Sequence, residues 1–417
     1  MRPEERRVIA LTGVAHAHDH VVIYVLPPLV AVITRDLGLT EPEFGGVVAA
    51  MSFAFGFGAL PAGLLEDRIG ARIVLPLFLG GAAAALTAAS FATTPAGVIA
   101  GLIALGAAAS LYHPCGLSLI TRTVGATVRG RALGYHGIAG NVGEAAAPFL
   151  IAGLAAGLGG WRAAFRVLAA MSAALAVATA LGLARVAHAG GGHASGSPGP
   201  EPGTSAPDAP VPDGPRPVEA SASAARWRLA LLYLGLVLVG FCYRGALTYL
   251  PKLLADRGGD IVGRLFPSGP TKGGVLASLA LSAGIISQYA GGRLADRLRN
   301  EPLSAVLWVG VAASLLAIGH AGGVGVVLLA FAFAFFYYGQ QPATNALVAR
   351  YTSLRVRGLA YGLSFSASFG VGALGAAFGG FVWQRAGDVG AVYPALAAFA
   401  LVAAVIFGVL SLRRAPA

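Results

Sequence analysis

The sequence predicts an all-α integral membrane protein, with twelve transmembrane helices arranged as two pseudo-symmetric six-helix halves. Three observations carry that reading. The 417 residues are 56% hydrophobic and only 11% charged, with a mean hydropathy of +0.74, whereas a soluble domain carries about 25% charged residues. Apolar runs near the roughly 20 residues that cross a bilayer recur twelve times along the chain. A polar stretch rich in Gly and Pro divides those runs six and six.

In chain order the first six runs fall near residues 8–34, 43–64, 73–92, 96–120, 132–156 and 163–185. The second six fall near 227–250, 273–292, 302–320, 322–345, 358–383 and 389–412. They are long and continuous, not short and alternating, which fits helices and excludes spanning strands. The expected organisation is an N-terminal half over 1–186, a linker over 187–226 and a C-terminal half over 227–417. The linker holds GGGHASGSPGPEPGTSAPDAPVPDGPRP, with almost nothing to bury, and reads as a disordered cytoplasmic segment. Met1 to Arg7 is polar and basic and shows no cleavable signal pattern.

The net charge of +11 is explained by position. Most of the Lys and Arg residues cluster in alternate connections, among them Arg68, Arg72, Arg122, Arg131, Arg185, Arg293, Arg297 and Arg299. That asymmetry encodes topology and places both termini and the linker in the cytoplasm of a bacterial inner-membrane protein. Nucleic acid is not an expected partner; small-molecule substrate, protons and membrane lipids are, with the chain acting as a monomer. Cys115 and Cys242 both lie in apolar runs, so no disulfide framework is expected. No nucleotide-binding loop or nucleophile motif suggests an enzyme, and no cofactor is called for.

An internal repeat supports the two halves. GLLEDRIGAR (Gly63–Arg72) follows the second run and GGRLADRLRN (Gly291–Asn300) follows the eighth. A tight turn at Gly63 or Gly292 would bring Asp67 and Arg68, or Asp296 and Arg297, to the ends of neighbouring helices. There they would pair across the gap when the halves close, acting as a gate. Duplicated motifs at matching positions are typical of transporter halves.

Twelve runs, a central linker and paired Gly-x-x-x-Asp-Arg loops resemble the major facilitator superfamily over essentially the whole chain. Finer features are similar to its fosmidomycin-resistance-like branch. These are His16 with Pro27, Tyr112-His113-Pro114, Gly140-Asn141-Val142-Gly143 with Pro148, and Arg244 followed by Leu250-Pro251. The resemblance implies alternating access and export of drugs or small metabolites in exchange for protons. Asp19-His20 stands where the branch has Asn-Asp, and Glu144 where it has a small or hydroxylated residue; both bear on the substrate and not on the fold.

A charge at the bilayer centre costs roughly 2.5–3.5 kcal/mol on insertion scales, so polar residues inside the spans mark a cavity or a partner. His16, Asp19 and His20 share one helical face at i, i+3 and i+4, while His18 points elsewhere. Arg244 requires a carboxylate, with Asp19 and Glu144 as candidates, or an anionic ligand. A static salt bridge between the halves is its structural alternative. We assign Asp19, Glu144 and Arg244 to proton coupling. His16, His20, His113, His136, Asn141, Tyr243, Tyr337 and Gln341 are assigned to substrate binding. The glycines of the fifth run, Gly137, Gly140 and Gly143, should let a neighbouring helix approach. Phe53, Phe55 and Phe57 read as lipid-facing or pocket-lining, with lipid and packing favoured. The leading function is a proton-coupled exporter of a small organic compound. The alternatives are a transition-metal exporter, since imidazole and carboxylate suit such ions, and a non-transporting receptor or lipid-binding protein. The spacings match no closed metal site.

Overall fold

The computed structural model describes residues 1–191, 222–259, 269–352 and 357–412. Most of the expected linker, residues 192–221, lies outside them. Among the described residues, twelve helical segments are long and apolar enough to cross a membrane, and each overlaps one of the twelve runs, with ends that differ by up to about two helical turns.

The first span is α1 (Pro3–Ile23), a 3-10 turn (Pro27–Leu29) and α2 (Val30–Leu37). Spans two and three are α3 (Glu41–Ile69) and α4 (Ala71–Phe91). Span four is split into α5 (Pro95–Ala109) and α6 (Tyr112–Thr123), and spans five and six are α7 (Ala126–Gly157) and α8 (Trp161–Gly191). The second set runs α9 (Ala222–Arg257), then α10 (Gly269–Leu281) with α11 (Ala283–Arg297), α12 (Asn300–Ile318) and α13 (Gly323–Tyr351). Span eleven joins α14 (Arg357–Phe365), a π turn (Ser366–Gly370) and α15 (Leu374–Ala386); span twelve is α16 (Val392–Leu412).

Local chemistry sets the boundaries. Thr40 and Glu43 form a reciprocal capping box at the start of α3. Gly38 ends α2 at φ 65°, which other residues rarely adopt. Proline lacks an N–H and clashes with the carbonyl four residues back. Pro27 and Pro28 accordingly terminate α1 at Ile23, and Pro114 separates α5 from α6 around Ser110 and Leu111.

The packing repeats between halves. Span one packs on five as seven does on eleven, two on four as eight on ten, and three on six as nine on twelve. Between the halves, α3 meets α15 and the π turn, while α7 meets α10. These contacts lie toward the end of the bundle away from the N-terminus. Gly45 lies against the Ala376 carbonyl, Gly274 against that of Pro148, and Ser278 Oγ accepts the Phe149 N–H at 3.0 Å.

The expected turn at the repeated motif is corrected by the structure. Gly63 and Gly292 sit inside α3 and α11, and the chain reverses after the Asp-Arg pair. In the first copy the turn is at Gly70, φ 83°; in the second, Leu298 and Arg299 are simply extended.

Candidate functional site

The site grows from the close approach of α1 and α7. A Cβ at Gly140 would lie 2.4 Å from His16 Cε1, and one at Gly143 would lie 2.1 Å from the Ala17 carbonyl oxygen. Without side chains at these two positions α7 lies directly on α1. Gly137 faces open space and plays no part.

His16, Asp19 and His20 then project together, as their spacing predicted. His16 Nδ1 donates to the His136 carbonyl at 2.8 Å, and its ring stacks on that of His136 with centroids 4.1 Å apart. His20 Nε2 lies 3.2 Å from His16 Nε2, and His20 Nδ1 lies 3.5 Å from Glu144 Oε2. His113, from α6, places Nε2 3.4 Å from Asp19 Oδ2. His18 turns away: its Nε2 donates to Ser172 Oγ at 2.6 Å on α8.

The second half closes this cluster. Tyr243 donates its hydroxyl to Glu144 Oε1 and stacks on Tyr337, centroids 5.0 Å apart. Arg244 is 2% exposed, and its charge acts on both Asp19 and Glu144. Among the described residues, however, no carboxylate forms an ion pair with it. Its Nε and Nη2 are buried with no hydrogen-bond partner, as is Asp19 Oδ1. The direct salt bridge expected for Arg244 is therefore not formed. One turn along α9, Thr248 Oγ1 is likewise buried and unpartnered.

Other assigned residues sit at its edge or apart. Among the described residues no hydrogen bond ties half-buried Asn141 to the cluster, whereas Gln341 borders it through Tyr337 and accepts from Gln288 at 2.7 Å between α11 and α13. Asp67 pairs with Arg122 at 3.4 Å inside the first half, and Arg68, Asp296 and Arg297 are exposed. No ion pair crosses between halves at that end among the described residues.

Sequence reasoning missed several neighbours. Tyr112 donates to the Thr12 carbonyl at 2.6 Å, and its oxygen lies 3.3 Å from His136 Nδ1. Phe55, read as lipid-facing or packing, is buried against His113, Phe365 and Phe369. Only the run of aromatic residues at 53, 55 and 57 hinted at it, and Phe57 is indeed exposed. Cys115, by contrast, hydrogen-bonds the Ala71 carbonyl at 3.3 Å and takes no part. One ring nitrogen each from His16, His20 and His113 lie within 4.8 Å of one another, a spacing that could hold a metal ion.

The Major Facilitator Superfamily sequence profile matches residues 15–376. A probable L-galactonate transporter of Escherichia coli (strain K12) is 29% identical over 147 residues, 35% of this chain and 32% of that protein. The match thus spans about a third of that relative's length. A probable sulfoacetate transporter, SauU, of Cupriavidus necator is 27% identical over 349 residues, 79% of this chain and 74% of that protein. Among solved structures, a bacterial homolog of the human lysosomal transporter Spinster, inward-facing and unoccupied, gives a TM-score of 0.75 at 15% identity across 100% of both chains. The nucleoside transporter NupG gives 0.69 at 16% identity, over 98% of this chain and 99% of that one. At such identities the likeness shows the fold alone.

Proposed function

The chain belongs to the major facilitator superfamily, and from that premise we propose a proton-coupled secondary transporter of a small organic anion, working by alternating access. The observation that carries this reading is Arg244. A buried guanidinium without a partner costs several kcal/mol, and Nε and Nη2 are the two donors along one edge of the group. That edge is the fork that takes a carboxylate, sulfonate or phosphonate through two parallel hydrogen bonds. The names of the two relatives, for L-galactonate and sulfoacetate, support an organic acid.

Asp19 and Glu144 supply the proton coupling. With both ionised, the compartment already holds two negative charges against the single positive charge of Arg244, and an incoming anion is repelled. Protonation of either carboxylate lowers that repulsion, so proton and anion favour the same state and move together. His113 beside Asp19, and His20 with Tyr243 beside Glu144, are the groups that border the two carboxylates.

Reconstituted proteoliposomes test this with aldonates, sulfonates and phosphonates. We expect an acidic exterior to drive accumulation, and Asp19→Asn and Glu144→Gln to remove the response. Coupling retained in both variants overturns the assignment.

Export by exchange, as in the fosmidomycin-resistance-like branch, is a second reading, supported by the packing of Gly140 and Gly143 against the first span. It has the opposite sign: an acidic lumen would drive accumulation. In either case we place the chain in the bacterial inner membrane with both termini cytoplasmic, from its basic connections. The six-helix units at 1–186 and 227–417 are the bodies that rock, joined by the cytoplasmic linker.

A further inference from the structure

We propose that His16, His20 and His113 bind a divalent transition-metal ion of the zinc class, at a site distinct from the Arg244 anchor. The ligand spacing is the first ground. Two nitrogens on a tetrahedral ion with bonds of 2.0–2.1 Å stand about 3.3 Å apart; His16 Nε2 and His20 Nε2 are 3.2 Å apart. One ring nitrogen from each of His16, His20 and His113 lies within 4.8 Å of the other two, so a modest adjustment of the rings completes the triangle.

Proton bookkeeping is the second ground. A carbonyl can only accept, so the 2.8 Å contact to His136 O puts the proton of neutral His16 on Nδ1 and leaves Nε2 a bare lone pair. His20 faces a carboxylate through Nδ1 at 3.5 Å. If His20 donates there, its Nε2 is also bare and two lone pairs oppose each other. A cation between the two Nε2 atoms turns that contact favourable. It leaves each outward N–H on a carbonyl or carboxylate, the arrangement that orients metal-bound imidazoles.

The third ground is the neighbouring carboxylate. Asp19 Oδ2 is 3.4 Å from His113 Nε2, and Oδ1 is buried without a partner. Three imidazoles beside a carboxylate suit Zn, Co or Ni.

The test is direct binding by the purified full-length protein after chelation, which requires no transport and stands independently of the proposed function. Co²⁺ titration should give one saturable equivalent with the ligand-field bands of a tetrahedral nitrogen-rich site, displaced by Zn²⁺. X-ray absorption on the Zn-loaded wild type should count three imidazoles. His16→Ala or His113→Ala should weaken binding at least about tenfold, with His320→Ala, on an exposed residue, as the unaffected control. Should a variant fail to fold, the absorption count on wild type still decides. The proposal is overturned if no saturable site forms, if fewer than three imidazoles are counted, or if folded His16→Ala and His20→Ala variants bind as wild type does; a proton would then be the shared charge.

Discussion

At Gly143 an added methyl would sit 2.1 Å from the Ala17 carbonyl oxygen, an atom of helix backbone that cannot yield unless α1 itself moves. Gly143→Ala should therefore lower stability by about 1–3 kcal/mol, read as a fall in melting temperature in detergent. Gly137→Ala, where the added methyl meets open space, should stay within about 0.5 kcal/mol of wild type. The contrast shows what could be read from the chain at this scale. Helical spacing placed His16, Asp19 and His20 on one face and turned His18 away, because a period of 3.6 is a property of the sequence. It could not separate Gly137 from Gly143, because which glycine faces a neighbour depends on how α7 is rotated about its axis. Nor could it reveal that Arg244 lacks a carboxylate contact, since that depends on distances across two halves that the sequence does not fix.

The spans themselves were legible, since bilayer thickness imposes a length on each apolar run. Their interruptions were only partly so. Pro114 marks the fourth span for a break, and that break falls around Ser110, four residues upstream, where its ring would clash with a carbonyl. The π turn at Ser366–Gly370 carries no proline; its signature is Gly370 pressed against Phe57 and Gly56 pressed against Gly370. The break in span four begins three residues before His113, whose ring lies against Asp19. Pro114→Ala should allow α5 and α6 to join, moving His113 off that carboxylate. We expect a melting temperature equal to or above wild type, because an interior proline costs about 3 kcal/mol in a continuous helix, together with a loss of proton-coupled transport. A variant that melts early yet transports normally would show that the break serves packing and not the site.

The most extensive contacts between the halves, α3 with α15 and α7 with α10, lie toward the end away from the N-terminus, so this structure is closed there. The repeated packing of spans was foreshadowed by the duplicated Asp-Arg motif. Which end is closed was not, because two states of one sequence differ by only a few kcal/mol. The glycines at the seam make that balance testable. A Cβ at Gly274 would stand 2.5 Å from the Pro148 carbonyl oxygen and 2.9 Å from Ala152 Cβ, so Gly274→Leu should penalise the closed end specifically. Thr248, 1% exposed and one residue beyond Leu247, whose carbonyl accepts the Tyr24 hydroxyl at 3.0 Å, is a suitable reporter of its opening. In a background lacking the two native thiols (Cys115→Ala, Cys242→Ala), Thr248→Cys should react slowly with a membrane-impermeant maleimide supplied from that side. Adding Gly274→Leu should accelerate labelling about tenfold for each 1.4 kcal/mol by which it raises the closed state. Unchanged labelling in a folded protein would mean that the contact between α7 and α10 does not form the gate, and that the halves separate elsewhere.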